Sequence, residues 1–72
     1  MEMIPVTSSN LVAVGYDPRS RILRIEFKES IYDYFDVPQH EFDNLLNAES
    51  KGKYHAAHIK NSYRYQRLKA RR

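Results

Sequence analysis

Few residues in this chain have side chains suited to reaction chemistry. His40, His55 and His58 are its only histidines, and histidine is the side chain that ordinarily titrates near neutral pH. His55 and His58 stand three positions apart, a spacing that places both on one helix face. With His40 or Glu49 as a third ligand they are the nearest approach to a metal set. The zincin pattern, however, needs histidines four apart and a glutamate after the first, and Ala56 and Ala57 stand here instead. Exposed helix histidines are the better reading. Asp33 and Asp36 beside Tyr32 and Tyr34 suggest paired acid chemistry. An outward strand residue and a helix-capping residue account for them more simply. Without cysteine there is no thiolate, no disulfide and no Cys-based zinc site. No glycine-rich phosphate loop and no nucleophile elbow occurs. The expectation is a protein without catalytic residues, metal or cofactor, and not an enzyme.

A binding constellation is better supported. Residues 1–50 carry all nine acidic side chains and four basic ones, a net −5. Residues 51–72 carry eight basic side chains and no acidic one, +8. That asymmetry points to an anionic partner for the last third of the chain. Pairing with the acidic front half, or a solvated tail, are the plainer explanations. Within the basic segment, Tyr63 and Tyr65 sit among Lys60, Arg64 and Arg67. Aromatic rings interleaved with cations are the mixture used to stack unpaired bases and hold phosphates.

The elements that must position these groups can be read from periodicity. Seventy-two residues make one small domain with one modest core, loosely held at about residues 1–4 and 69–72. Pro5 discourages regular structure nearby, and Thr7–Asn10 is a cluster of turn formers. Leu11–Tyr16 is a short apolar strand. Asp17-Pro18-Arg19-Ser20 is a turn, with Asp17 bonding the backbone ahead and Pro18 presetting φ. In Arg21–Phe27, Leu23, Ile25 and Phe27 alternate with Arg24 and Glu26, which marks a half-buried strand. Lys28-Glu29-Ser30 reverses the chain into Ile31–Asp36. Tyr32 and Tyr34 face inward there, because Asp33 is costly to bury unpaired. An irregularity near Asp36 must then bring Phe35 and Val37 back to the core. Pro38 opens a helix, and Phe42, Leu45 and Leu46 form a stripe that packs on the sheet. Ser50 caps a shorter helix in which Ala56, Ile59 and Tyr63 share a face. Beyond it, residues 63–68 alternate, which favours an extended tail over a continued helix.

The predicted fold is α+β: a three-stranded antiparallel meander (about 10–16, 21–28 and 30–36), a helix (about 38–48), a shorter helix (about 50–61) and a basic C-terminal segment. The N-terminus shows no signal-peptide pattern and no apolar run approaches membrane-spanning length. A soluble, cytoplasmic protein is expected.

Several of these residues also carry a resemblance. Ser8-Ser9-Asn10-Leu11, Gly15-Tyr16-Asp17, Leu23 and Phe27, Tyr32-Asp33-Tyr34 leading into Val37-Pro38, and Ser50-Lys51-Gly52-Lys53-Tyr54 with Ile59 together resemble the KTSC domain family. The likeness covers roughly Pro5 to Leu68, and Tyr-x-Tyr followed by Val-Pro is its most specific part. Ser30 stands where the family pattern leads us to expect glycine. The family is named for a C-terminal extension of some bacterial lysyl-tRNA synthetases and occurs also as small stand-alone proteins of bacterial and phage type. The resemblance implies RNA binding, without ligase activity. It transfers no functional residues.

The sequence therefore predicts a small non-enzymatic binding domain. RNA, tRNA or another structured RNA, is the first partner, met by Lys51, Lys53, Lys60, Arg64 and Arg67, with Tyr63 and Tyr65 as stacking groups. The alternative is a protein-interaction module using an exposed sheet edge or the basic tail, including a homodimer.

Overall fold

A computed structural model describes residues 1–70. Five strands, β1 (Ile4–Pro5), β2 (Leu11–Asp17), β3 (Ile22–Phe27), β4 (Ser30–Tyr34) and β5 (Tyr65–Ala70), form one antiparallel sheet in the order β1-β2-β3-β4-β5. Between β4 and β5 lie α1 (Gln39–Asn47) and α2 (Lys51–Tyr54), and α2 runs directly into a π turn at His55–Ile59.

The expected three-stranded meander is thus the centre of a larger sheet. β1 escapes the objection to proline because it is an edge strand, where a missing N–H breaks no ladder. The first residues run close along the sheet. Ile4 pairs with Val14, and the segment before it lies so close over Gly15 that a Cβ there would stand 2.7 Å from Met3 Sδ and 2.8 Å from the Glu2 carbonyl oxygen. The segment read as an extended tail is extended, but as β5 it is hydrogen-bonded along β4, from Tyr34 opposite Tyr65 to Ser30 opposite Ala70. Expectations for residues 71–72 fall outside the described residues.

Local chemistry sets each junction. The Asp17 carboxylate accepts from Arg19 N (3.0 Å) and Ser20 Oγ (2.9 Å), and Arg21 closes the turn in the left-handed region at φ 60°. The irregularity expected after β4 is Asp36, at φ 57°, a conformation Asp tolerates better than most residues. It turns Val37 fully into the core, where Val37 N donates to the Arg21 carbonyl and Tyr16 Oη donates to the Val37 carbonyl. Pro38 is the N-cap rather than the first helical residue. Ser50 caps α2 by accepting from Lys53 N (3.3 Å).

The register places Val14, Ile25 and Tyr32 on one face of the sheet, with Tyr16, Leu23, Tyr34 and Tyr65 in the next row. Phe42, Leu45 and Ile59 join Val14, Leu23, Ile25 and Tyr34 in a single core, and Phe42 stacks on Tyr16 at 5.4 Å. On the other face Asp33 is 5 % exposed, against the expectation that it points to water. Its burial is tolerated because Arg24, directly opposite, donates to both carboxylate oxygens at 2.7 and 2.9 Å. Among the described residues no helix is long and apolar enough to cross a membrane.

Candidate functional site

A cleft of about 310 Å³ opens where the helix-facing side of β4 and β5 meets the π turn. Tyr32 and Tyr34 reach it because they are two apart on β4, and Tyr65 because it pairs with Tyr34. The rings of Tyr32 and Tyr34 lie nearly parallel with centroids 6.2 Å apart. Tyr65 leans over both, at 5.5 and 5.9 Å. Phe27, at the end of β3, meets Tyr32 edge-on at 5.7 Å and His55 at 5.1 Å. Ser30, Lys60 and Asn61 complete the lining, which holds no acidic side chain.

At the base of the cleft, Tyr34 Oη and His55 Nε2 are 2.7 Å apart. Burial pushes the Tyr34 phenol up to about 12, so it stays protonated at neutral pH. Burial, aided by the nearby Lys60 ammonium, lowers the His55 pKa and favours its neutral form. With a neutral imidazole in its Nδ1–H tautomer, the phenol donates to Nε2. The pair is a fixed polar floor beneath aromatic walls. Among the described residues no three His, Asp or Glu gather as a metal set.

Of the basic-segment residues singled out from sequence, Lys60 and Tyr65 line this cleft. Arg67 is not in its lining; it sits directly opposite Tyr32 in the β4–β5 ladder and is exposed. The others lie elsewhere. Tyr63 is half-buried and donates to Glu41 Oε1 at 2.8 Å, while Tyr54 donates to Glu41 Oε2. Lys51 donates to the Ala48 carbonyl just past the end of α1, where a cation complements the helix dipole. Lys53 is exposed on α2, and Arg64 lies over the Phe35 ring at 5.4 Å and 3.6 Å from Asp36.

His55 and His58 do not share a face. The wider π turn sends His55 into the cleft and leaves His58 exposed against the Tyr54 ring at 4.4 Å. Ala56, expected inside with Ile59, is exposed. The usable sequence signal for His55 is its position four before the core residue Ile59, and for Tyr32 and Tyr34 their shared inward face.

Comparison with known proteins gives a consistent picture. The KTSC domain model matches residues 7–63. A protein from Tsukamurella paurometabola is 43 % identical over 63 residues, covering 86 % of this chain and 94 % of its own length. A lysine–tRNA ligase from a Nostoc species is 41 % identical over 61 residues, which is 83 % of this chain but 11 % of the enzyme. The crystal structure of a KTSC domain protein from Yersinia pestis superposes with a TM-score of 0.91 at 34 % identity, covering 93 % of this chain and 96 % of that one.

Proposed function

The chain belongs to the KTSC domain family, and we propose that it is a non-enzymatic RNA-binding domain that stacks unpaired bases in the tyrosine-lined cleft. One observation carries this reading: Tyr32, Tyr34 and Tyr65 line a single cleft together with Lys60, with no carboxylate in its lining. Base stacking on aromatic rings contributes about 1–3 kcal/mol per base, and flanking cations gain from counterion release. An aromatic cage for a cationic ligand is the competing use of such rings, but Lys60 in the wall opposes a cation. Lys51, Lys53 and Arg64 add to the positive field without touching the stacked base. Tyr63 fixes the entry to β5 through Glu41. The likeness to a segment of lysine–tRNA ligases, whose name states tRNA as what they act on, supports an RNA partner.

The test is fluorescence anisotropy of a labelled tRNA and a labelled unstructured RNA at two salt concentrations. Tyr65→Ala and a Lys60→Gln, Arg67→Gln double variant are measured alongside. Binding that weakens in salt and in both variants is expected. No binding at low salt by the unaltered chain removes the RNA reading.

A second reading is a protein partner. β5 is the last strand of the sheet and its outer edge has no neighbour among the described residues, so an extended segment of another protein, or of a second copy, can add there. Protection of β5 amides from hydrogen exchange by a protein partner, with no RNA binding, is the result that favours it.

A further inference from the structure

The tyrosine cleft does not end at Ser30. A second, shallower groove of about 480 Å³ continues from it, and the two share Phe27, Ser30, His55 and Lys60. Past that junction the character changes. The aromatic rings stop, and the groove is lined by Asn10, Gly52 and Ala56, with Lys28 and Glu29 from the β3–β4 turn. A compartment walled by flat rings therefore opens into a polar one with small side chains, with one cation, Lys60, at the joint and another, Lys28, beyond it.

Resting on the RNA reading above, we infer that the site is built for two consecutive nucleotides of a single strand. The base of the first enters the tyrosine cleft. The phosphate joining the two meets Lys60 at the junction. The second nucleotide lies along the polar groove, and its outer phosphate meets Lys28. The dimensions and chemistry agree with this. About 310 Å³ is at the lower end of small-ligand pockets, roughly 300–1,000 Å³, which suits one ring system with its sugar. A base must leave its stack to enter, so a duplex is a poor ligand. Glu29 stands at the same groove as Lys28 and repels phosphate, which limits the track to two units. Lys28 belongs to the acidic half of the chain and lies outside the basic segment, so charge distribution gives no hint of it.

The experiment measures adenosine 5′-monophosphate, 5′-phosphorylated ApA, the corresponding tetranucleotide and a blunt RNA duplex against the full chain by calorimetry. The same set is run on Lys28→Gln and Glu29→Gln, both on an exposed turn where folding is not at stake. ApA is expected to bind about tenfold tighter than the mononucleotide, and the tetranucleotide little tighter than ApA. K28Q is expected to remove the gain for ApA, leave the mononucleotide affinity unchanged and flatten the salt slope for ApA by about 0.7, one single-strand phosphate. E29Q is expected to tighten ApA. Equal affinity for ApA and the mononucleotide overturns the two-nucleotide track while the RNA reading stands, as does a K28Q loss common to both. A duplex that competes as well as the tetranucleotide also overturns it. If no single-stranded probe binds, the RNA reading falls with it.

Discussion

Two groups of tyrosines sit a short distance apart and are held in opposite ways. Tyr54 and Tyr63 give their hydroxyls to the two oxygens of Glu41, and burial together with that carboxylate raises both phenols, Tyr63 to about 12. Their polar ends are consumed, and they join α1, α2 and the approach to β5. Tyr32 and Tyr65 instead meet ring against ring beside the buried Tyr34, whose own hydroxyl is held by His55, and Tyr65 is 58 % exposed. A ring whose hydroxyl is anchored stabilises the fold, and a ring left open at a cleft is available to a ligand. Residue type does not distinguish the two, but the partner of the hydroxyl does.

The contrast can be broken most directly at Glu41. Glu41→Ala leaves two half-buried phenols without their acceptor, and a loss of about 2–3 kcal/mol in unfolding free energy is expected by urea titration, with RNA affinity unchanged. A fall in RNA affinity without a loss of stability would invert the assignment. The converse variant is Tyr65→Ala. It should weaken RNA binding by about 1–3 kcal/mol while its unfolding midpoint stays near that of the parent, because more than half of the residue already faces water.

A smaller effect separates the cleft from the Glu41 cluster by pH. His55 has a lowered pKa in the folded protein, so the unfolded chain takes up its proton first. The stability that neutral His55 contributes is present above its unfolded value, about 6.5, and is lost as pH falls through the lower folded value. Unfolding free energies measured from about pH 7.5 down to 5 should decline, and His55→Gln should flatten the decline. The smallest effect is expected at Arg64→Gln. Its ion pair with Asp36 is 3.6 Å long and both side chains are about four-fifths exposed, so a stability change under about 0.5 kcal/mol is expected by the same titration.

How far the sequence discloses this arrangement depends on the range of each interaction. Alternation in Arg21–Phe27 and the Phe42, Leu45, Leu46 spacing reveal which faces turn inward, because period and burial are local properties. The Asp17 turn and the Ser50 cap are legible for the same reason. β5 is visible only as an extended stretch, since its pairing with β4 joins residues more than thirty positions apart. β1 is hidden by Pro5, a residue that argues against a central strand but not an edge. Of the cleft, Lys60 and Tyr65 stand out by charge and aromatic spacing. His55 is marked only by standing four before Ile59, because the π turn around it depends on hydrogen bonds five residues apart, as in Lys60 N to the His55 carbonyl at 2.9 Å.

That turn also has a consequence for how such a domain can change. A π turn is an α-helix carrying one residue more than its turn needs, and removing that residue restores i to i+4 pairing while the flanking segments stay nearly in phase. Loss of Ala56 or Ala57, two exposed alanines, would leave Ile59 in the core and bring His55 from four positions before it to three, shifting the imidazole relative to the Tyr34 hydroxyl. A single codon deletion could thus remodel the floor of the cleft without touching any residue that lines it. Related chains that differ in length at this point should differ in what they bind before they differ in how they fold.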